Sequence, residues 1–208
     1  MKQILCFGDS NTWGADPVTK GRFAKAERWP TVMGVELGNG YEVIAEGLGG
    51  RTTVWRDPIE EHKCGKDHLI PIMESHQPID LLIIMLGTND LKHRFSLTAF
   101  DIASGAGTLV KMARATGSAF TGGRPQVLMV APPPVGKLTG FAQMFKGSEE
   151  KSLKLSEEFA RVSAELHCPL LDLAPVAISS AADGIHFDSA NQRKIGLAMA
   201  EKVRQILS

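Results

Sequence analysis

The sequence predicts an α/β domain: a five-stranded parallel sheet in flavodoxin-like order 2-1-3-4-5, with helices layered on both faces. Five short apolar runs alternate with stretches of helical periodicity. The first and third runs, residues 4–8 and 81–86, are apolar or small throughout, as strands covered on both faces are. Most runs stop abruptly at glycine, proline or a polar cluster. No repeat or linker interrupts the pattern, so residues 1–208 read as a single domain.

The first strand, Ile4 to Gly8, ends in Asp9-Ser10-Asn11. Gly8 is expected to permit a tight turn, and Asp9 to bind nearby backbone N–H groups. Residues 15–27 form a polar loop, and 28–37 a helix stopped by Gly38-Asn39-Gly40. A short strand at 41–45 leads into Glu46-Gly47-Leu48-Gly49-Gly50-Arg51-Thr52-Thr53, where three glycines imply a sharp turn or a close approach. Residues 54–66 are irregular, and 67–76 are helical up to the segment before Pro78. The strand at 79–86 ends in Gly87-Thr88-Asn89-Asp90. A helix at 97–116 has Ile102, Ala106, Leu109, Val110 and Ala113 at helical spacing, and 117–123 reads as a loop. The fourth strand, 126–131, is stopped by three prolines and followed by a loop of about fifteen residues. One long helix is expected over 148–167, with Ser148 as its N-cap. A strand at 169–173, a loop at 174–185 and a helix at 189–207 complete the chain.

Composition excludes several classes. Lys+Arg and Asp+Glu are both 23, so no basic excess favours nucleic acid. No apolar run approaches the roughly 20 residues that span a bilayer, and no secretory leader pattern opens the chain. A cytoplasmic protein with no membrane partner is therefore expected. Cys6, Cys64 and Cys168 are too sparse for a disulfide framework, and the histidines lack metal-ligand spacing, so neither metal nor cofactor is expected.

In open α/β sheets, ligands bind at the carboxyl ends of the strands. Ser10, Gly49-Gly50 and Asn89 all fall at that edge, on strands 1, 2 and 3. A serine after Gly-Asp is by itself ordinary turn chemistry, and gains a nucleophile's meaning only with a base, an orienting acid and oxyanion donors. His186, on the loop before the last helix, is the candidate base. Asp183, three residues earlier, can turn back to one imidazole nitrogen. Read separately, the pair is equally a surface histidine beside a capping aspartate. The N–H groups of Ser10 and Gly50 and the Asn89 amide are candidate oxyanion donors.

Gly8-Asp9-Ser10, Gly50 before Arg51-Thr52-Thr53, Gly87-Thr88-Asn89-Asp90 and Asp183-Gly184-Ile185-His186 resemble, in order, the four signature blocks of the SGNH (GDSL-type) hydrolase family. Ile4 to Ser10, Glu46 to Leu48 and Ile84 to Asp90 resemble its bacterial arylesterase and acyltransferase (perhydrolase) branch. The resemblance implies the SGNH-hydrolase fold, Ser10 as nucleophile, His186 as base, Asp183 as its orienter, and Gly50 with Asn89 at the oxyanion. It implies a serine esterase for short acyl, aryl or acetyl esters, with acyl transfer to alcohols or peroxide as a side reaction. The partner expected is a small-molecule ester. Leu138, Phe141, Met144 and Phe145 lie on a long loop and should be buried by the domain itself or by another subunit, and a homo-oligomer is expected. Asn11, Trp13, Trp55, Thr88, Phe141, Met144, Phe145 and Ile185 are the candidate pocket residues. A carbohydrate acetylesterase or thioesterase shares this chemistry. A non-catalytic phosphate-cradling module is the competing class, although the Gly8 to Thr12 loop has no lysine.

Overall fold

The computed structural model describes residues 1–116 and 123–208. The loop expected at 117–123 therefore lies almost wholly outside the described residues. Five parallel strands form one sheet in the order β2-β1-β3-β4-β5. They are β1 (Lys2–Gly8), β2 (Tyr41–Gly47), β3 (Leu81–Met85), β4 (Gln126–Ala131) and β5 (Leu170–Asp172). The helices are α1 (Ser10–Trp13), α2 (Trp29–Leu37), α3 (Gly65–Ser75), α4 (Ala99–Thr116), α5 (Ser148–Ser152), α6 (Leu155–Leu166) and α7 (Ser189–Leu207). This is the α/β/α fold and strand order that the sequence predicts.

The unbroken apolar runs have a simple cause. Successive side chains on a strand point to opposite faces, and here both faces are covered. Leu5, Phe7, Leu82, Ile84, Val127 and Met129 pack with α3, α4 and α6. Ile4, Cys6, Leu81, Ile83, Leu128 and Val130 pack on the other face, with Trp29 and Met33 of α2 and Ile195, Met199 and Val203 of α7.

Three local expectations are corrected. Gly8 does not adopt a turn conformation; it ends β1, paired with Gly47 and Met85. Its need is space, since a Cβ there would lie 2.0 Å from Thr12 Oγ1. Gly47 clears the backbone of Trp13 in the same way, so α1 lies directly over the ends of two strands. The helix expected at 148–167 is two helices, α5 and α6, broken at Leu153 and Lys154. Ser152 Oγ donates back to the Glu149 carbonyl at 2.9 Å and accepts from Val135 N–H at 3.1 Å. That local competition with the helical ladder, drawn by a distant loop, accompanies the break. Ser148 is not the cap either. Gly147, at φ 79°, occupies that position, and Ser148 is buried inside the first turn.

Candidate active site

Asp9 caps α1, its Oδ1 accepting from Asn11 N–H at 2.9 Å. Ser10 is therefore the first residue of a helix at the carboxyl end of a central strand. Its amide is among the N–H groups with no intrahelical partner.

The loop before α7 brings a histidine to it. Asp183 Oδ1 accepts from the backbone N–H groups of Ile185 and His186, each at 2.9 Å, which folds the loop around one carboxylate. Asp183 Oδ2 lies 2.7 Å from His186 Nδ1. His186 Nε2 lies 2.9 Å from Ser10 Oγ. With Nδ1–H donating to Asp183, Nε2 is the acceptor facing the serine hydroxyl. Burial alone would raise the Asp183 carboxyl, but the His186 ring and the two backbone amides outweigh it and hold it below its ordinary value. Phe141 packs edge-on against the His186 ring, with centroids 5.9 Å apart.

Ser10 and His186 share a cavity of about 220 Å³ with Gly49, Gly50, Asn89, Glu60, Lys92, Phe141, Met144, Phe145 and Ile185. Gly50 has φ +82°, the left-handed conformation glycine adopts without strain. Asn89 Nδ2 donates to Arg51 O at 3.2 Å and to Asp9 Oδ2 at 3.4 Å. A larger groove of about 840 Å³, between α2 and the outer edge of β2, holds none of these groups.

Several pocket expectations change. Phe141, Met144, Phe145 and Ile185 line the cavity, but Asn11, Trp13, Trp55 and Thr88 do not. Asn11 is buried behind it, donating to Ile185 O at 3.4 Å and accepting from Gln192 at its own carbonyl. Trp13 turns away to stack under the Arg22 guanidinium, 4.7 Å from the ring centroid. Thr88 is buried as the cap of the 3₁₀ turn Asn89–Leu91. The loop carrying Leu138, Phe141, Met144 and Phe145 packs on the chain's own core, with Phe145 buried and the other three partly buried.

Sequence reasoning missed the charged wall. Lys92, 2% exposed, donates to Glu60 Oε1 at 2.7 Å and to Asp57 Oδ2 at 3.4 Å. Arg94 donates to the same two carboxylates, each at 2.6 Å. Burial would raise Asp57, but the backbone N–H groups of Glu60 and Ile59 with Arg94 and Lys92 bring it down to about 2. Asp90 behaves oppositely. It accepts from Thr53 N–H at 3.0 and 3.1 Å and from Thr53 Oγ1, yet burial pushes its carboxyl up to about 6. Burial likewise pushes Asp9 up to about 6. Among the described residues, no group of three His, Cys, Asp or Glu side chains is gathered as a metal site, and no helix is long and apolar enough to cross a membrane.

The GDSL-like lipase/acylhydrolase family profile matches residues 6–194. An aryl esterase from M. smegmatis is 40% identical, with TM-score 0.95 over 99% of both chains. A carbohydrate acetylesterase from Sinorhizobium meliloti is 36% identical, with TM-score 0.96 over 99% of this chain and 100% of that one. A putative arylesterase from Agrobacterium tumefaciens str. C58 is 38% identical, with TM-score 0.91 over 99% and 100%. No curated protein matches the chain in sequence. A profile match across most of the chain, joined to whole-length structural likeness at this identity, identifies the chain as a member of the GDSL-like lipase/acylhydrolase (SGNH hydrolase) family and a carboxylic ester hydrolase.

Proposed function

We propose that the chain is a serine esterase for short acyl esters, working through an acyl-enzyme on Ser10. The observation that carries this is the unbroken contact from Asp183 through His186 to Ser10, 2.7 Å and 2.9 Å. His186 Nε2 takes the Ser10 proton as Oγ attacks the ester carbonyl. The imidazolium so formed is stabilised by Asp183 and returns the proton to the leaving alkoxide. The tetrahedral oxyanion is held by the N–H groups of Ser10 and Gly50 and by the Asn89 amide, each donor contributing about 3–4 kcal/mol in the transition state. Water, with His186 again as base, resolves the acyl-enzyme; an alcohol or peroxide competes for it by the same route.

A cavity of about 220 Å³ walled by Phe141, Met144, Phe145 and Ile185 suits an acetyl to butyryl chain. Glu60 and Lys92, which line the same cavity, favour a second reading in which the alcohol is polyhydroxylated, as the carbohydrate acetylesterase relative suggests. The deciding experiment is turnover of a p-nitrophenyl ester series beside an acetylated sugar, with organophosphonate labelling. Stoichiometric labelling at Ser10, and a loss of several orders of magnitude in Ser10→Ala, are expected. Near-normal turnover by folded Ser10→Ala sinks the serine mechanism, and decanoyl preference sinks the short pocket. A homo-oligomer is proposed on the resemblance alone, and light scattering reads it directly.

A further inference from the structure

The two non-Ser10 oxyanion candidates come from strands that do not touch. Gly50 follows β2 and Asn89 follows β3, and β1 lies between those strands. The ladders tie both strand ends to β1, but beyond them the two donors are related only through contacts between loops, the innermost being Asn89 Nδ2 on Arg51 O at 3.2 Å. The distance between the donors depends on whatever joins segment 50–60 to segment 89–94.

The joint nearest the surface is ionic. Asp57 and Glu60 lie on the first segment, and Lys92 and Arg94 on the second; all four pairs are within 3.4 Å. Two carboxylates meet two cations, so the group is neutral as a whole. Asp57 Oδ1 accepts from the N–H groups of Ile59 and Glu60, which aims Glu60. Glu60 Oε2 lies 2.7 Å from where a Cβ on Gly50 would sit, so this carboxylate rests directly over Gly50. Lys92 closes the turn that begins at Asn89, its N–H donating to Asn89 O at 3.2 Å. The next residue, His93, donates from its backbone to Met144 O at 2.8 Å on the apolar wall.

We propose that Glu60 and Lys92 are positioning residues for the oxyanion site: their ion pair, acting outside the Asn89–Arg51 contact, holds the spacing between the Gly50 amide and the Asn89 amide. Glu60 bears on Gly50 at one end and Lys92 on the Asn89 turn at the other. This rests on the serine-esterase reading above. Its weight comes from reach, because the Glu60 carboxylate must extend both to Lys92 and over Gly50. A misplacement of about 1 Å in such a site costs up to about 100-fold in rate.

The test compares Glu60→Asp with Glu60→Gln, using kcat and KM for p-nitrophenyl acetate. Glu60→Asp keeps the charge but draws the carboxylate back from Gly50. Glu60→Gln loses the charge but keeps the reach and an oxygen to accept from Lys92. We expect Glu60→Asp to lower kcat about 10–100-fold with KM within about threefold, and Glu60→Gln, which keeps the reach, to lower kcat several-fold less than Glu60→Asp does. The reverse order overturns the proposal, as does a rise in KM at unchanged kcat, which would make Glu60 a substrate contact. Organophosphonate labelling of Ser10 is run on every variant beside Ser10→Ala. If Ser10→Ala keeps turnover, the esterase mechanism fails; if only the Glu60 variants are unaffected, this inference alone fails.

Discussion

Asp90 and Asp57 are both buried carboxylates in the loops beside Ser10, and both join the segment after β2 to the segment after β3. Asp90 is held by a neutral threonine, through two backbone contacts and a hydroxyl. Asp57 is held by backbone amides and by two cations. Their carboxyls consequently move apart, Asp90 up to about 6 and Asp57 down to about 2. Neutral donors satisfy the oxygens of a carboxylate without compensating its charge in a medium of low dielectric. Full-charge donors do both, at the cost of desolvating themselves. The two joints thus carry opposite liabilities: the inner one strains against ionisation, and the outer one leaves Asp57 uncompensated if its cations are removed.

The largest expected effect breaks the outer joint. Lys92→Met strips Asp57 of one of its two cations while the carboxylate stays buried. Urea denaturation should show a loss of about 3–5 kcal/mol, the usual cost of an uncompensated buried charge. A loss below about 1 kcal/mol would mean that Arg94 alone suffices and that the two joints differ less than their geometry implies.

The pH dependence separates them by sign. An acid whose folded-state value is raised binds its proton more tightly when folded. Asp90 therefore supports folding fully below its ordinary value of 3.8, and this support fades as pH rises through about 6. Asp57, held low, stabilises fully above 3.8 and loses this as pH falls toward about 2. The stability gap between wild type and Asp90→Asn should then move against wild type by about 1–3 kcal/mol as pH rises from about 4 to 7. The gap for Asp57→Asn should stay flat over that interval and close only in stronger acid. Parallel curves for the two variants would erase the distinction.

The smallest effect is a control. Arg56 pairs with Asp67 at 2.9 Å, but the two side chains are 82% and 39% exposed. Arg56→Ala should leave the urea midpoint essentially where it is in wild type, since water competes for both partners. A cost near that of Lys92→Met would show that pairing itself, and not burial, drives the difference.

Much of the architecture was readable along the chain because it depends on near neighbours. The apolar runs Ile4 to Gly8 and Leu81 to Leu86 reveal buried parallel strands, since a strand covered on both faces cannot alternate with polar residues. The strand ends bring Ser10, Gly50 and Asn89 to one edge once the order 2-1-3 is inferred. Asp183 and His186 lie three residues apart, so their contact is a local turn. What escaped is long-range. Glu60 and Lys92 are 32 residues apart, Glu60 on a stretch that reads only as irregular. Nothing in either stretch reveals that the other will desolvate it. Trp13 likewise reads as a pocket aromatic until Arg22 occupies its face, and Ser152 as a helical residue until Val135 donates to it.

Local periodicity and turn chemistry therefore determined the strands, their order and the residues gathered at one edge of the sheet. Packing across the chain decided which side chains face the cavity, where the helix after residue 147 breaks, and which charges become buried partners. The division follows from what each interaction depends on. Strand and turn preferences are properties of a few consecutive residues, whereas burial of a charge depends on the three-dimensional neighbours that exclude water from it.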